Sequence, residues 1–123
     1  MRSRIRNNFS EKILIYGTGG KTEGLEKICL DSGILPIKIG DDSLTERVGM
    51  LAMRESDNFS AENSTESANE RECVIFCGLG EKKLDRILKA IRQNIPGGIP
   101  LKAVLTASNS KMTLEELLSE LQK

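Results

Sequence analysis

Four short apolar runs, each followed by a stretch of helical periodicity, constrain this chain more than any other feature. Ile13-Leu14-Ile15-Tyr16, Leu35-Pro36-Ile37-Lys38-Ile39, Cys73-Val74-Ile75-Phe76-Cys77 and Leu101-Lys102-Ala103-Val104-Leu105 read as strands. The first helix spans 21–32 with Leu25, Ile28 and Cys29 inward, and Gly33 stands at its left-handed stop. A second spans 43–53 with Leu44, Val48 and Leu51 on one face and a capping box of Ser43 with Glu46. A third, over 81–94, carries Leu84, Ile87, Leu88 and Ile91, and Ile95 to Pro100 break it. The last is capped by Thr113 and Glu116 and turns Leu114, Leu117, Leu118 and Leu121 inward.

The order strand, helix, strand, helix is thus stated twice, an internal repeat of about 40 residues per half. Alternation of this kind argues for β-α-β crossovers, and apolar strands without period-two alternation argue for a sheet covered on both faces. The expectation is an α/β fold: a small three-layer domain with a four-stranded parallel sheet in the order 2-1-3-4. The alternative is a ferredoxin-like fold with strands two and three as a hairpin, against which the helix at 43–53 counts. One domain fills 11–123. Residues 1–10, with Arg2, Arg4 and Arg6, read as a flexible basic tail and not a signal peptide. Residues 55–71 hold one large apolar side chain, Phe59, among acidic and small polar ones, and read as a disordered or mobile loop.

Composition removes whole classes of function. Lys plus Arg equals Asp plus Glu at 18, so a broad cationic surface for nucleic acid is disfavoured. Histidine is absent, and with it the Ser-His-Asp and Cys-His arrangements and every His-containing metal site. The three cysteines form no regular framework, which points to a reducing, cytoplasmic setting. No run of apolar residues is long enough to span a membrane. No cofactor and no metal site is expected, and the expectation leans against an enzyme.

Candidate sites are few. Gly17-Thr18-Gly19-Gly20-Lys21-Thr22 ends like a phosphate loop, but the first glycine that motif requires is Ile15, inside the strand. What remains is a weak anion site of helix-start amides beside Lys21. Gly78 and Gly80 follow the third strand; Thr106, Ser108 and Asn109 follow the fourth. In a parallel sheet all these loops meet at the carboxyl edge, where ligands bind. Cys77 ends a central strand beside a helix start and is a candidate reactive thiol.

Val74 to Leu79, Leu84-Asp85, Pro100 to Thr106 and the continuation through Asn109 to Thr113 and the leucine helix resemble a family of small bacterial proteins of unknown function. Ile15-Tyr16-Gly17 and Asp42 to Leu51 are similar more loosely. Those relatives carry an aromatic residue where this chain has Met112, and short linkers where it has 55–71. The resemblance supplies no catalytic residues. The functional expectation is a nonenzymatic interaction or regulatory domain whose partner is another protein or a second copy of the chain. The alternative is a weak binding module for a small polar or anionic ligand at the carboxyl edge of the sheet.

Overall fold

The computed structural model describes residues 11–54 and 68–123, with backbone alone for 68–70. The tail at 1–10 and most of the polar stretch lie outside the described residues. In chain order the elements are β1 (Lys12–Thr18), α1 (Thr22–Asp31), β2 (Leu35–Ile39), α2 (Val48–Ala52), β3 (Ala68–Cys77), α3 (Glu81–Asn94), β4 (Leu101–Val104) and α4 (Leu114–Leu121). β3 therefore begins inside the stretch expected to be a loop, and its residues 68–71 are strand.

The sheet runs β2-β1-β3-β4, the expected order. Its directions differ from the expectation. β1 pairs parallel with β2 and β3 parallel with β4, but β1 and β3 are antiparallel. The reason lies in the connection. α2 ends where β1 begins, with the Lys12 ammonium on the Ala52 carbonyl at 2.7 Å. β3 starts at the opposite end, Ala68 standing against Thr18. The stretch 55–67 joins those two ends, so β3 returns against β1. This antiparallel centre is shared with the ferredoxin-like alternative, whose β2–β3 hairpin is not formed.

Each half is a β-α-β unit, and both crossover helices lie on one face. There Ile13, Ile15, Val74 and Phe76 pack with Leu25, Ile28 and Cys29 of α1 and Ile87 and Ile91 of α3. On the other face Leu14, Tyr16, Cys73, Ile75 and Cys77 pack with Val48 and Leu51 of α2 and Leu114, Leu117 and Leu118 of α4. Residues on β1 and β3 alternate between two cores, which is why neither strand shows a polar face.

The repeat is a pseudo-twofold. Gly17, at the irregularity near the end of β1, and Gly78, just after β3, have positive φ of 71° and 76°, a conformation that favours glycine. Setting one on the other places Lys12 on Cys73 and Tyr16 on Cys77. The ladder pairs Lys12 with Cys77 and Tyr16 with Cys73, so exchanging the halves returns the same pairs. Leu14 and Ile75 map onto each other and lie on the axis. Below them the axis passes through a second bridge, Arg47 with Thr113. Its two bonds mirror one another: Val48 N donates to Met112 O at 2.8 Å and Leu114 N to Glu46 O at 3.0 Å.

That bridge corrects the second helix. Arg47 is extended (φ −72°, ψ 142°) to pair with Thr113, so α2 cannot start before Val48. Ser43 closes a 3-10 turn, is buried, and accepts from Arg54 instead of capping. In α4 the expected capping box forms: Glu116 N donates to Thr113 Oγ1 at 3.1 Å and Thr113 N to Glu116 Oε1 at 2.9 Å.

Candidate functional site

The antiparallel centre separates residues expected to converge. Gly17 to Thr22 lie at the end where β1 and β2 finish. Gly78, Gly80, Thr106, Ser108 and Asn109 lie at the other, where β3 and β4 finish. Counting along β3 from the level of Gly17 to Gly78, the two groups stand roughly 20 Å apart. There is no common carboxyl edge.

At the first end a hollow of about 390 Å³ is lined by Gly17, Thr18, Gly19, Gly20 and Thr22, with Glu23, Glu26 and Lys38 around it. Lys21 does not serve it. Its ammonium turns across the molecule to Glu72 Oε1 and Gly98 O, each at 2.8 Å, and ties the start of α1 to the middle of β3 and to the turn before β4. Thr18 and Thr22 bond to each other through their hydroxyls. Lys38, the remaining cation of the hollow, pairs with Glu26 at 3.3 Å. Two carboxylates against one paired lysine make a poor anion cradle, so the geometry goes against the anion expectation.

At the second end Thr106 and Asn109 are consumed internally. Thr106 N donates to Asn109 Oδ1 at 2.8 Å, Asn109 N donates to Thr106 Oγ1 at 3.0 Å, and Asn109 Nδ2 donates to Val104 O at 3.0 Å. These bonds close a turn and cover the last carbonyl of β4, as edge strands require. Cys77 is 1% exposed, and burial pushes its thiol up to about 12, outweighing the pull of nearby Lys12. Cys29 and Cys73 are buried and raised to about 12 in the same way. A nucleophile needs the opposite shift, so the reactive-thiol expectation is corrected: Cys77 is a core residue.

What this end offers instead is apolar. A hollow of about 630 Å³ is bounded by Gly49 of α2 and Met53 just after it, Gly78 and Leu79 of the β3–α3 turn, and Val104 to Ala107. Met53 and Val104 in its lining are 64% and 45% exposed, and Met50 on α2, outside the lining, is 61% exposed. Gly49 lets α2 lie against the turn after β4, where an added Cβ would stand 3.0 Å from Ser110 O. The two hollows share symmetry-related strand ends, although α1 walls the polar one and α2 the apolar one. Gly78 corresponds to Gly17, Leu79 to Thr18, and Val104 to Lys38. One architecture thus carries hydroxyls and charges at one end and exposed hydrocarbon and thioether at the other. Sequence reasoning named Gly78 and Thr106 here but missed Met53 and Val104; Met53's departure from the inward stripe of Leu44, Val48 and Leu51 was the available signal.

A polar network crosses the molecule at the first end. Tyr16 donates to Asp41 Oδ1 at 2.6 Å, and burial, aided by that carboxylate, raises the phenol. Arg71 holds Glu115 through both oxygens at 2.7 and 3.1 Å, which lowers the carboxyl. Among the described residues no group of three or more His, Cys, Asp or Glu side chains could hold a metal ion, and no helix is long and apolar enough to cross a membrane.

Residues 72–123 match the family model described as a domain of unknown function (DUF3783). The match begins within β3 and covers the second half of the pseudo-twofold. Neither the curated proteins nor the solved structures include a match.

Proposed function

We propose that the chain is a nonenzymatic interaction module that takes an apolar-anchored peptide segment of a partner protein into the hollow at the β3–β4 end. One observation carries this reading. Met53 and Val104 are exposed in the lining of a concave apolar surface, while Thr18 and Lys38, the positions of the other hollow that correspond to Leu79 and Val104, are polar. Exposed apolar surface gathered around a cavity marks a binding surface more often than a scattered residue does. Methionine, flexible and polarizable, suits the lip of such a site.

The test is panning of a random-peptide display library on the immobilised protein, with synthetic peptides followed by fluorescence anisotropy. Enriched sequences are expected to carry large apolar anchors. Binding should weaken at least about tenfold in Val104→Asp, the loss of one well-buried contact, at unchanged melting temperature. Absence of enrichment, or binding indifferent to both Val104→Asp and Met53→Asp, would overturn the proposal.

A further inference from the structure

The hollow does not end at Val104. Side chains of β4 alternate, so Lys102 and Val104 share the face that looks toward α3. Lys102 borders a second, smaller depression of about 200 Å³ between α3 and β4, floored by Leu88 and Ile99. β4 borders both depressions, the larger at Val104 and the smaller at Lys102, and is an edge strand with no further strand beside it among the described residues. The first half closes the corresponding seam with the Lys38–Glu26 ion pair between β2 and α1. The second half leaves its seam open.

The charge on α3 has one dominant sign. α3 carries Lys82, Lys83, Arg86, Lys89 and Arg92 against Glu81 and Asp85, although the whole chain is balanced. Lys83 is taken by Glu11 at 2.6 Å. Lys82, Arg86 and Lys89 recur at i, i+4 and i+7, form one exposed stripe, and make no ion pair among the described residues. Arg92 stands at the rim of the smaller depression, and the Lys102 ammonium is held over it by the Ile99 carbonyl at 2.7 Å.

Resting on the docking reading above, we infer that the partner segment is acidic: an extended peptide, apolar anchors flanked by Asp and Glu, lies along β4. Its anchors enter the Met53–Val104 hollow and the Leu88–Ile99 floor, and its carboxylates face Arg92 and Lys102, with the α3 stripe adding long-range attraction. Complementary charge of this kind selects partners and steers their approach. The concave shape and the open edge of β4 fit a strand added beside it better than a flat anionic membrane.

The experiment compares peptide pools enriched on the wild-type protein and on the Arg92→Glu/Lys102→Glu variant. Wild-type pools are expected to be rich in Asp and Glu beside apolar anchors. A synthetic acidic member should bind about fivefold more weakly to the double variant, from two exposed ion pairs, and more weakly at high salt. Pools selected on the variant should shift toward Lys and Arg. Apolar pools without charge bias that are still lost in Val104→Asp would overturn the acidic assignment and leave the docking reading standing. No enrichment on either protein would overturn both. Binding to phosphatidylserine vesicles without peptide binding would overturn both and make the seam a lipid surface.

Discussion

The axis through Leu14 and Ile75 makes a quantitative prediction about which core residues share their fate. Both are 2% exposed, both belong to the core beneath α2 and α4, and they face each other across the central ladder. Leu14→Ala should cost about 2 to 5 kcal/mol, because a closed site cannot collapse into the space left. Ile75→Val alone should cost about 0.5 to 1.5 kcal/mol. Once Leu14 is truncated, the δ-methyl of Ile75 borders a cavity and has less packing to lose. Ile75→Val should then cost less by about 0.5 kcal/mol or more, a coupling typical of touching side chains. Ile15 is the control. It adjoins Leu14 in the chain but is buried in the other core. Ile15→Val and Leu14→Ala should therefore add within about 0.5 kcal/mol. The assay is urea unfolding followed by far-ultraviolet circular dichroism, with m-values compared to guard the two-state treatment. A domain of this size has about 5 to 15 kcal/mol of stability, enough to accommodate the double variants. Coupling of Leu14 to Ile15 and not to Ile75 would refute the register, since a one-residue slip exchanges the two faces.

Thr113→Ala should destabilise by about 1 kcal/mol through loss of the α4 cap, and urea midpoints should show it. Stability should be level through neutral pH and fall as pH rises from about 9 toward 12. The raised Cys29, Cys73, Cys77 and Tyr16 favour the fold fully below their unfolded values, and that contribution is lost as pH climbs to the folded ones. Each thiol contributes at most about 1.4 kcal/mol per pH unit across that window, and a melting temperature unchanged between pH 8 and 11 would refute the burial argument. The same thiols should resist iodoacetamide in buffer and react in urea, as read by mass spectrometry. Lys21→Met should cost about 1 to 2 kcal/mol by unpairing Glu72 and freeing the Gly98 carbonyl; a thermal melt unchanged from wild type would show the tie to be idle.

Local pattern carried far in this chain. The apolar runs, the helix stripes, the strand order and the doubled plan were readable because each rests on spacing within a few residues. Direction was not readable: strands covered on both faces look the same parallel or antiparallel, and β3 is turned by what happens between Arg54 and Ala68. The start of α2 was misplaced because Ser43 and Glu46 satisfy a local rule that the distant bridge of Arg47 to Thr113 overrides. Lys21 looked available because Glu72 and Gly98 are remote in sequence. Thr106 and Asn109 looked like ligand groups because nothing in their spacing shows that each occupies the other. The apolar hollow depends on where α2 ends relative to β4, which no single segment encodes.

The pseudo-twofold has a consequence for valency. A unit corresponding to 72–123 leaves one side of β3 and the bridge at Thr113 without a mate, and a second such unit related by a twofold would supply both. Such a pair would be obliged to carry identical pockets at its two ends and would engage two partners at once, linking them. Joining two halves in one polypeptide releases that obligation. Here Met53, Leu79 and Val104 stand around one hollow while Thr18, Glu26 and Lys38 stand around the other, so a protein built on a twofold presents two unlike ends among the described residues, and on the docking proposal it would join a complex as a terminus, not as a bridge.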